Sequence, residues 1–456
     1  MFLTLLESSR VVTQATQATA DPPSVFLEDM GCQMNRLDSE LVLGKLKREG
    51  FRRVPTPSEA DVVLYYTCSV RERAEEKVYG HLGALKHLKR EKPGMVIGVM
   101  GCMAQNLKEL IFERAPHVDL VVGTSRFEDV AELLGEVRHG ERVMALDRKD
   151  LGFDRDISVR PRQHTAFINA MRGCNKFCTF CIVPYTQGRE RSRSVEDLIA
   201  EAKQLSDDGV VEVTLLGQRI DTYGLDLNDG TTLSKLLTRL HEEVPGLVRI
   251  GYITSHPNHM TDDLARAVAD HPRISRYLHL PVQSGSDRTL KAMNRGYTVD
   301  EYRRAIDLMR NRIDDLSMAT DWIVGYPGET EEDFTASVAL LREMEFQGSF
   351  VFKYSPRLGT RAFDEGDPVP REEKARRNQV LLEEQRVISL RRNQVRLGTE
   401  VDVLVEGISK RDAGKYTGRT DRNLIVCFPA GRDLTGRLAR VKLTDCTSLT
   451  LFGELV

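Results

Sequence analysis

The 456-residue sequence predicts an α/β chain in three parts: an N-terminal parallel-sheet α/β domain, a central partial (β/α)6 barrel and a small all-β barrel at the C-terminus. Three observations predict it. Near the start, three apolar, β-branched runs each end on a cysteine and are each followed by a charged, helix-like stretch. Through the middle, six further apolar runs alternate with helix-like stretches, the rhythm of βα units. Beyond one long basic helix the pattern changes to short alternating runs separated by glycine and aspartate turns, the mark of a small all-β barrel.

Hydrophobic residues make up 41% and charged residues 29% of the chain, enough for several soluble cores. Residues 1–24, "MFLTLLESSRVVTQATQATADPPS", have a short apolar run without a basic leader, and are expected to be a disordered extension rather than a signal peptide. No run of about 18 apolar residues occurs, so no membrane span and a cytoplasmic location are expected. A net charge of −3 does not announce nucleic-acid binding, so any polyanion must be held by local patches. Eight cysteines are too sparse for a disulfide scaffold, and clustered ones point to metal or redox chemistry.

The first three strands are expected in "SVFLEDMGC", "DVVLYYTC" and "GMVIGVMGC", ending at Cys32, Cys68 and Cys102. These cysteines recur 36 and then 34 residues apart, about one βαβ unit. A parallel sheet gathers the carboxyl ends of its strands on one edge, so the three thiols are expected to meet there. The alternative is three buried core cysteines. The N-terminal domain is expected over 25–145 and a linker over 146–160. A barrel follows over 161–391, its strands in "TAFINAMRG", "VVEVTLLGQ", "VRIGYITSHP", "RYLHLPVQSGS", "SMATDWIVGYPG" and "GSFVFKYSPR". "REEKARRNQVLLEEQRVISLRRNQVRLG" reads as one long helix, and 392–456 as the small barrel, with runs "EVDVLVEGIS", "NLIVCFP", "GRLARVKLTD" and "SLTLFGELV".

"MRGCNKFCTFCIVPYTQGRE" places Cys174, Cys178 and Cys181 just after the first barrel strand, where such barrels hold their chemistry. A structural zinc site would want four ligands, usually in paired CxxC units. Thiolates also hold iron–sulfur clusters, and a four-iron cluster held by three leaves one iron open to a ligand. A zinc knuckle or a plain cluster remains the alternative on spacing alone.

The C-x3-C-x2-C spacing, followed by six βα units, resembles the radical S-adenosylmethionine (SAM) enzymes. With "DMGCQMNRLDSE", "YYTCSVRERAEEK" and "VMGCMAQ", the chain resembles the methylthiotransferases among them, from about residue 25 to the end. "CSVRERAEEK", "CTFCIVPYTQGRERSRS", "HLPVQSGSDRTLKAMNRGYT", "TDWIVGYPGETEEDF" and "FKYSPRLGTRA" are most similar to the MiaB type. The resemblance implies a sulfur-group transferase with two [4Fe-4S] clusters, one on Cys174, Cys178 and Cys181, the other on Cys32, Cys68 and Cys102. It implies SAM as cofactor, and as substrate a prenylated adenosine beside the anticodon, methylthiolated at C2 of its base.

The resemblance also implies a SAM pocket with Gly217 and Gln218 at the end of the second barrel strand. Gln283, Ser284, Gly285 and Ser286 would join it from the fourth strand, and Gly325, Pro327 and Gly328 from the loop after the fifth. The C-terminal barrel resembles a TRAM domain, implying RNA contact through Lys415, Tyr416, Arg419 and Arg422, with Phe428 read as core. Arg189, Arg191 and Arg193 are candidates for phosphates, with pairing to Glu190 and neighbouring acids as the alternative. The implied partners are the tRNA anticodon stem-loop, an electron donor such as flavodoxin or ferredoxin, and a sulfur source. No coiled coil is present and a monomer is expected.

Departures from the family pattern occur at Tyr66, where Asn is usual, at Gln187, where Arg is common, and in "QRIDTYG", where Arg219 and Asp221 bring charges to the presumed pocket. Two rivals remain. One is methylthiolation of threonylcarbamoyl-adenosine or of a ribosomal-protein aspartate. The other is an RNA-binding protein with structural or redox-sensing clusters.

Overall fold

The computed structural model describes residues 21–69, 72–137, 141–149 and 164–456. The expected extension therefore lies almost wholly outside the described residues, as does most of the expected linker.

The N-terminal sheet contains strands Ser24–Met30 (β1), Arg52–Arg53 (β2), Val62–Thr67 (β3), Val96–Gly101 (β4), Leu120–Val122 (β5) and Val143–Ala145 (β6). They are all parallel, in the order β2-β1-β3-β4-β5-β6. Only β1, β3 and β4 are read from sequence; β2, β5 and β6 are two or three residues long, too short to show a period. Side chains on both faces are buried, which is why the long strands are apolar throughout.

The central unit begins at Thr165–Asn169 (β7). A short antiparallel pair, Met171–Arg172 (β8) and Arg191–Ser192 (β9), brackets the cysteine loop. Strands Glu212–Leu216 (β10), Arg249–Ile253 (β11), Tyr277–His279 (β12), Ser317–Val324 (β13) and Gly348–Lys353 (β14) follow. They form two parallel sheets, β11-β10-β7 and β12-β13-β14. Backbone hydrogen bonds join the sheets: Ile250 N donates to Arg273 O (2.8 Å), Ser275 N to Ile250 O (2.8 Å) and Ser255 N to His279 O (3.1 Å). The result is a half-barrel with strands in chain order, open between β7 and β14. Outward residues such as Val213, Leu215, Ile250, Met318 and Trp322 pack into one core with the surrounding helices. Capping boxes at Thr298–Glu301 and Thr330–Asp333 start two of those helices where the sequence signals them.

The long helix Arg371–Gln394 extends past residue 391 and leads to a closed barrel. Its strands are Glu400–Ile408 (β15), Lys415–Arg419 (β16), Ile425–Pro429 (β17), Leu438–Cys446 (β18) and Leu451–Leu455 (β19). The polar β16, "KYTGR", is a fifth strand where four apolar runs are expected. Phe428 is wholly buried in this barrel. The barrel sits at the N-terminal ends of β12 and β13, where Ser275 Oγ (2.6 Å) and Arg276 N (3.1 Å) donate to Asp421 O. Among the described residues no helix is long and apolar enough to cross a membrane.

Candidate cluster-binding site

The register of the N-terminal sheet brings three distant cysteines to one edge. Met30 lies opposite Thr67, and Thr67 opposite Gly101. Cys32, Cys68 and Cys102 each follow within two residues of these strand ends. Gly101 adopts φ +92°, and a Cβ there would lie 2.6 Å from the Thr67 carbonyl oxygen, so only glycine brings the chain round this close. Cys32 caps the helix Gln33–Arg48 and donates to Asn35 Oδ1 (3.2 Å). A hydrogen bond with Cys68 brings the Cys32 thiol down to about 6, whereas burial pushes Cys102 up to about 12.

The second set is built on the loop after β8. Gly173 has φ +86°, and a Cβ would sit 1.9 Å from Arg189 O. This lets Gly173 N donate to Gln218 Oε1 (2.8 Å) and Cys174 N to Gly188 O (3.0 Å). Cys181 N turns back to Cys178 O (2.9 Å). The loop is pinned to the barrel by Thr179, whose N donates to Met293 O (3.1 Å) and whose hydroxyl lies 2.8 Å from the Tyr326 hydroxyl. Buried Arg295 donates from Nη1 to Cys178 Sγ (3.3 Å) and from Nη2 to Pro281 O (3.1 Å). Burial pushes Cys174 up to about 11 and Cys181 up to about 12.

The two sets meet. The helix Val183–Gln187 begins two residues after Cys181, and its Gln187 Nε2 donates to Cys102 Sγ (3.2 Å). Thr124 Oγ1 donates to Thr186 O (2.5 Å) beside it. On the other flank, Met34 and Leu37 from the Cys32-capped helix pack with Leu216, Phe167 and Ile253 of the half-barrel. Beneath them Asp38 accepts from the Tyr66 hydroxyl (2.8 Å) and forms a buried ion pair with Arg172. Gln187, a departure in sequence, is thus a contact between the two cysteine-bearing domains, and Tyr66, another departure, holds the Asp38 that reaches across to Arg172.

Among the described residues no three His, Cys, Asp or Glu side chains close tightly enough to hold a single metal ion. The donor chemistry is nevertheless that of thiolate-held clusters. Among the described residues each set offers three thiols and no fourth protein ligand, and burial makes ionisation of Cys102, Cys174 and Cys181 costly unless a bound cationic centre offsets it. The residues present fit iron–sulfur clusters with one iron left open.

The other expected site residues fall into three groups. Gly217 and Gln218 stand against the Cys174 loop; a Cβ on Gly217 would meet Met171 Cγ at 2.6 Å. Gln283, at φ +73°, bridges to β13 through its backbone, with N donating to Asp321 O (2.8 Å) and O accepting from Ile323 N (3.0 Å).

The third group is tied to neighbouring elements. Ser284, Gly285 and Ser286 are turned to the outer helix Glu331–Met344. Gly285 N donates to Ser337 Oγ (2.8 Å), Ser284 Oγ lies 3.5 Å from the same hydroxyl, and Ser286 Oγ donates to Asp333. Gly325 is pressed against the stem of Lys374, Pro327 is buried, and the Gly328 carbonyl accepts from Arg288 Nη2 (2.7 Å). These contacts fix the positions of the loops.

The arginines divide between the two readings. Arg189 and Arg191 are exposed, but Arg193 is buried, ion-paired to Glu201 and donating to Asn169 O (3.3 Å). Arg219 is buried between Glu190 (3.3 Å) and Asp221 (3.2 Å), and burial, against the pull of Arg219, raises the Asp221 carboxyl to about 6. In the C-terminal barrel, Lys415 Nζ lies 3.1 Å from Asp412 Oδ2, and partly buried Tyr416 packs on the barrel core. Arg419 donates to Glu406 Oε1 (2.9 Å) and Asn423 Oδ1 (2.9 Å). Arg422 is committed to Asp315 (2.7 Å) and Asp421 (2.7 Å), at the seam with the half-barrel rather than to an open face. Arg295 and the Asp38–Arg172 pair are missing from the sequence reading, because nothing local marks them.

Comparison with known proteins agrees with this architecture. Residues 24–123 match "Uncharacterized protein family UPF0004", 168–341 the Radical SAM superfamily and 394–456 the TRAM domain. Among solved structures, the radical S-adenosylmethionine methyltransferase TsrM from Kitasatospora setae is similar with a TM-score of 0.55 at 15% identity, covering 75% of this chain and 77% of that one. The cobalamin-dependent radical enzyme OxsB has a TM-score of 0.53 at 13% identity, covering 80% and 56%. These likenesses concern the fold. Among curated relatives, the tRNA-2-methylthio-N(6)-dimethylallyladenosine synthase of Rhodopirellula baltica is 45% identical over 457 residues, 95% of each chain. That of Moorella thermoacetica is 44% identical over 430 residues, 93% of this chain and 97% of the relative. At this identity, over nearly the full length of both partners, the chain belongs to the tRNA-2-methylthio-N(6)-dimethylallyladenosine synthase family.

Proposed function

We propose that this protein transfers a methylthio group to C2 of an N6-dimethylallyl-adenosine at tRNA position 37, next to the anticodon. The observation that supports this most directly is the contact of Gln187 with Cys102, which ties the segment following one incomplete three-thiol set to a thiol of the other. An enzyme that joins sulfur to an unactivated carbon needs a sulfur-bearing centre and a radical-generating centre within reach of one substrate atom.

When bound, the two iron–sulfur clusters and SAM supply one-electron cleavage of SAM, hydrogen removal from carbon and the methylated sulfur. The chain's own residues hold and orient. Cys32, Cys68 and Cys102 would hold one cluster, and Cys174, Cys178 and Cys181 the other. Arg295 offers a fixed positive charge to the Cys178 sulfur. Gln218 fixes the Cys174 loop to β10. Leu37, Leu216 and Phe167 seal the flank against water. The target base must leave its stack to reach both sets, at a cost of a few kcal/mol.

A flavodoxin- or ferredoxin-type donor, a separate sulfur source, a monomeric state and a cytoplasmic setting complete the proposal. The test is anaerobic. The protein is reconstituted with iron and sulfide, then given SAM, a strong reductant and a prenylated anticodon stem-loop. Mass spectrometry should find 5′-deoxyadenosine and the methylthiolated nucleoside together. 5′-Deoxyadenosine alone would keep the radical chemistry and reject the acceptor. Neither product, from protein carrying both clusters, would reject the reading.

A further inference from the structure

The inner face of the half-barrel holds a group that the functions above leave unused. Leu278, Met318 and Trp322 point into the outer core, and Val351 packs against it. Strand alternation therefore turns His279, Asp321 and Phe350 into the lumen. There His279 Nε2 lies 2.9 Å from Asp321 Oδ1, and both side chains are partly open to solvent. Phe350 stands edge-on to the imidazole, with ring centroids 6.0 Å apart and planes at 87°. It is 52% exposed although it faces a barrel interior, and it sits on β14, the free edge of the half-barrel.

The depth of this group is fixed by register. Asp321 pairs with Phe350, and two residues on, Ile323 pairs with Phe352. Ile323 and Phe180, the latter inside the Cys178–Cys181 loop, pack against one cluster of Met293, Tyr326 and Tyr354. His279, Asp321 and Phe350 thus lie one inward layer below the cysteine loop, roughly 7 Å along the strands.

With Nε2 donating to the Asp321 carboxylate, His279 keeps Nδ1 as an acceptor. An N6-monoalkylated adenine retains one N6–H to donate, together with a π face and an apolar chain. We propose that His279, oriented by Asp321, and Phe350 form the subsite that receives the base of the acceptor nucleoside. His279 Nδ1 accepts from N6–H, and Phe350, with Phe352 above it, meets the ring and its alkyl group. The exposed aromatic lies at the open edge, where a base extruded from an RNA loop enters. This assignment rests on the acceptor being an N6-prenylated adenosine.

The test uses the reconstituted full chain and two fluorescent anticodon stem-loops, one prenylated and one not, titrated by anisotropy, with SAM binding followed by equilibrium dialysis. Wild type should prefer the prenylated RNA. Phe350→Ala should lose roughly tenfold of that preference, the scale of one base–aromatic contact. His279→Ala should weaken binding of both RNAs by a similar factor. Variants that bind both RNAs as wild type does would overturn the assignment. So would a matching loss of SAM affinity, which would give the subsite to the cofactor's own adenine. Wild type without any prenyl preference would overturn the acceptor reading itself, and this inference with it.

Discussion

Asp38 is the residue on which the contact between the two cysteine-bearing domains turns. Its carboxylate is 1% exposed, pairs with Arg172, which is 4% exposed, and accepts from Tyr66. Removing one member of a buried pair leaves the other charge uncompensated, at about 3–5 kcal/mol. Tyr66→Phe removes only a hydrogen bond to a charged group, about 1.5–3 kcal/mol. Thermal melts of the reconstituted chain should therefore rank wild type above Tyr66→Phe, and Tyr66→Phe above Asp38→Ala. Equal melts for the two variants would contradict the bridge. Asp221 makes a prediction of opposite kind. Its carboxyl is raised to about 6 in the fold, against 3.8 unfolded. Between these values the native state holds a proton that the unfolded chain has released, so this group's contribution to stability falls as pH rises and levels off above about 6. Asp221→Asn should be progressively more stable than wild type across that window. A pH-independent difference in denaturation midpoint would show that Asp221 is already ionised there.

At the scale of elements, strand ends organise the site, and strand ends are what a sequence displays best. The spacing of Cys32, Cys68 and Cys102 follows the βαβ repeat, so their meeting at one edge was readable before any coordinates. So was the half-barrel, because six apolar runs alternate with helix-like stretches. The short strands β2, β5 and β6 were not readable, and neither was polar β16, whose burial comes from closing a barrel. The arginines show the same limit. Nothing local in "GRERSRS" says that Arg193 turns under Glu201 while Arg189 and Arg191 stay outside. Arg295 is 117 positions from the Cys178 it touches. The loop between β8 and β9 depends on one backbone conformation. Gly173→Ala would place a Cβ 1.9 Å from Arg189 O at φ +86°, so the Cys174 loop cannot close. Iron and sulfide analysis should find roughly half the cluster content, lost from the Cys174 set, because the N-terminal set has its own scaffold. A full complement of iron in this variant would refute the argument.

For the whole molecule the question is what keeps the C-terminal barrel in place at the end of the half-barrel remote from the cysteines. Arg396 grips Asp315 with two bonds of 2.6 Å, and Arg422, from the β16–β17 turn, adds a third of 2.7 Å. Burial works to raise the Asp315 carboxyl, but the bidentate pair with Arg396, helped by Arg422, outweighs it and holds the group below the usual range. One carboxylate on the half-barrel thus ties down both the end of the long helix and the β16–β17 hairpin of the barrel. Around it runs a cleft of about 810 Å³ lined by Arg391, Arg392 and Arg440 among others. Asp315→Ala strips Arg396 of its carboxylate and leaves Arg422 with the Asp421 carboxylate alone, which weakens the seam without touching either cysteine set. The expected result is faster proteolytic release of the C-terminal barrel, with cluster content and SAM binding intact and weaker binding of the anticodon stem-loop. If RNA affinity holds while the barrel is released, the barrel contributes nothing to the grip on RNA, and the half-barrel and N-terminal domain supply all of it.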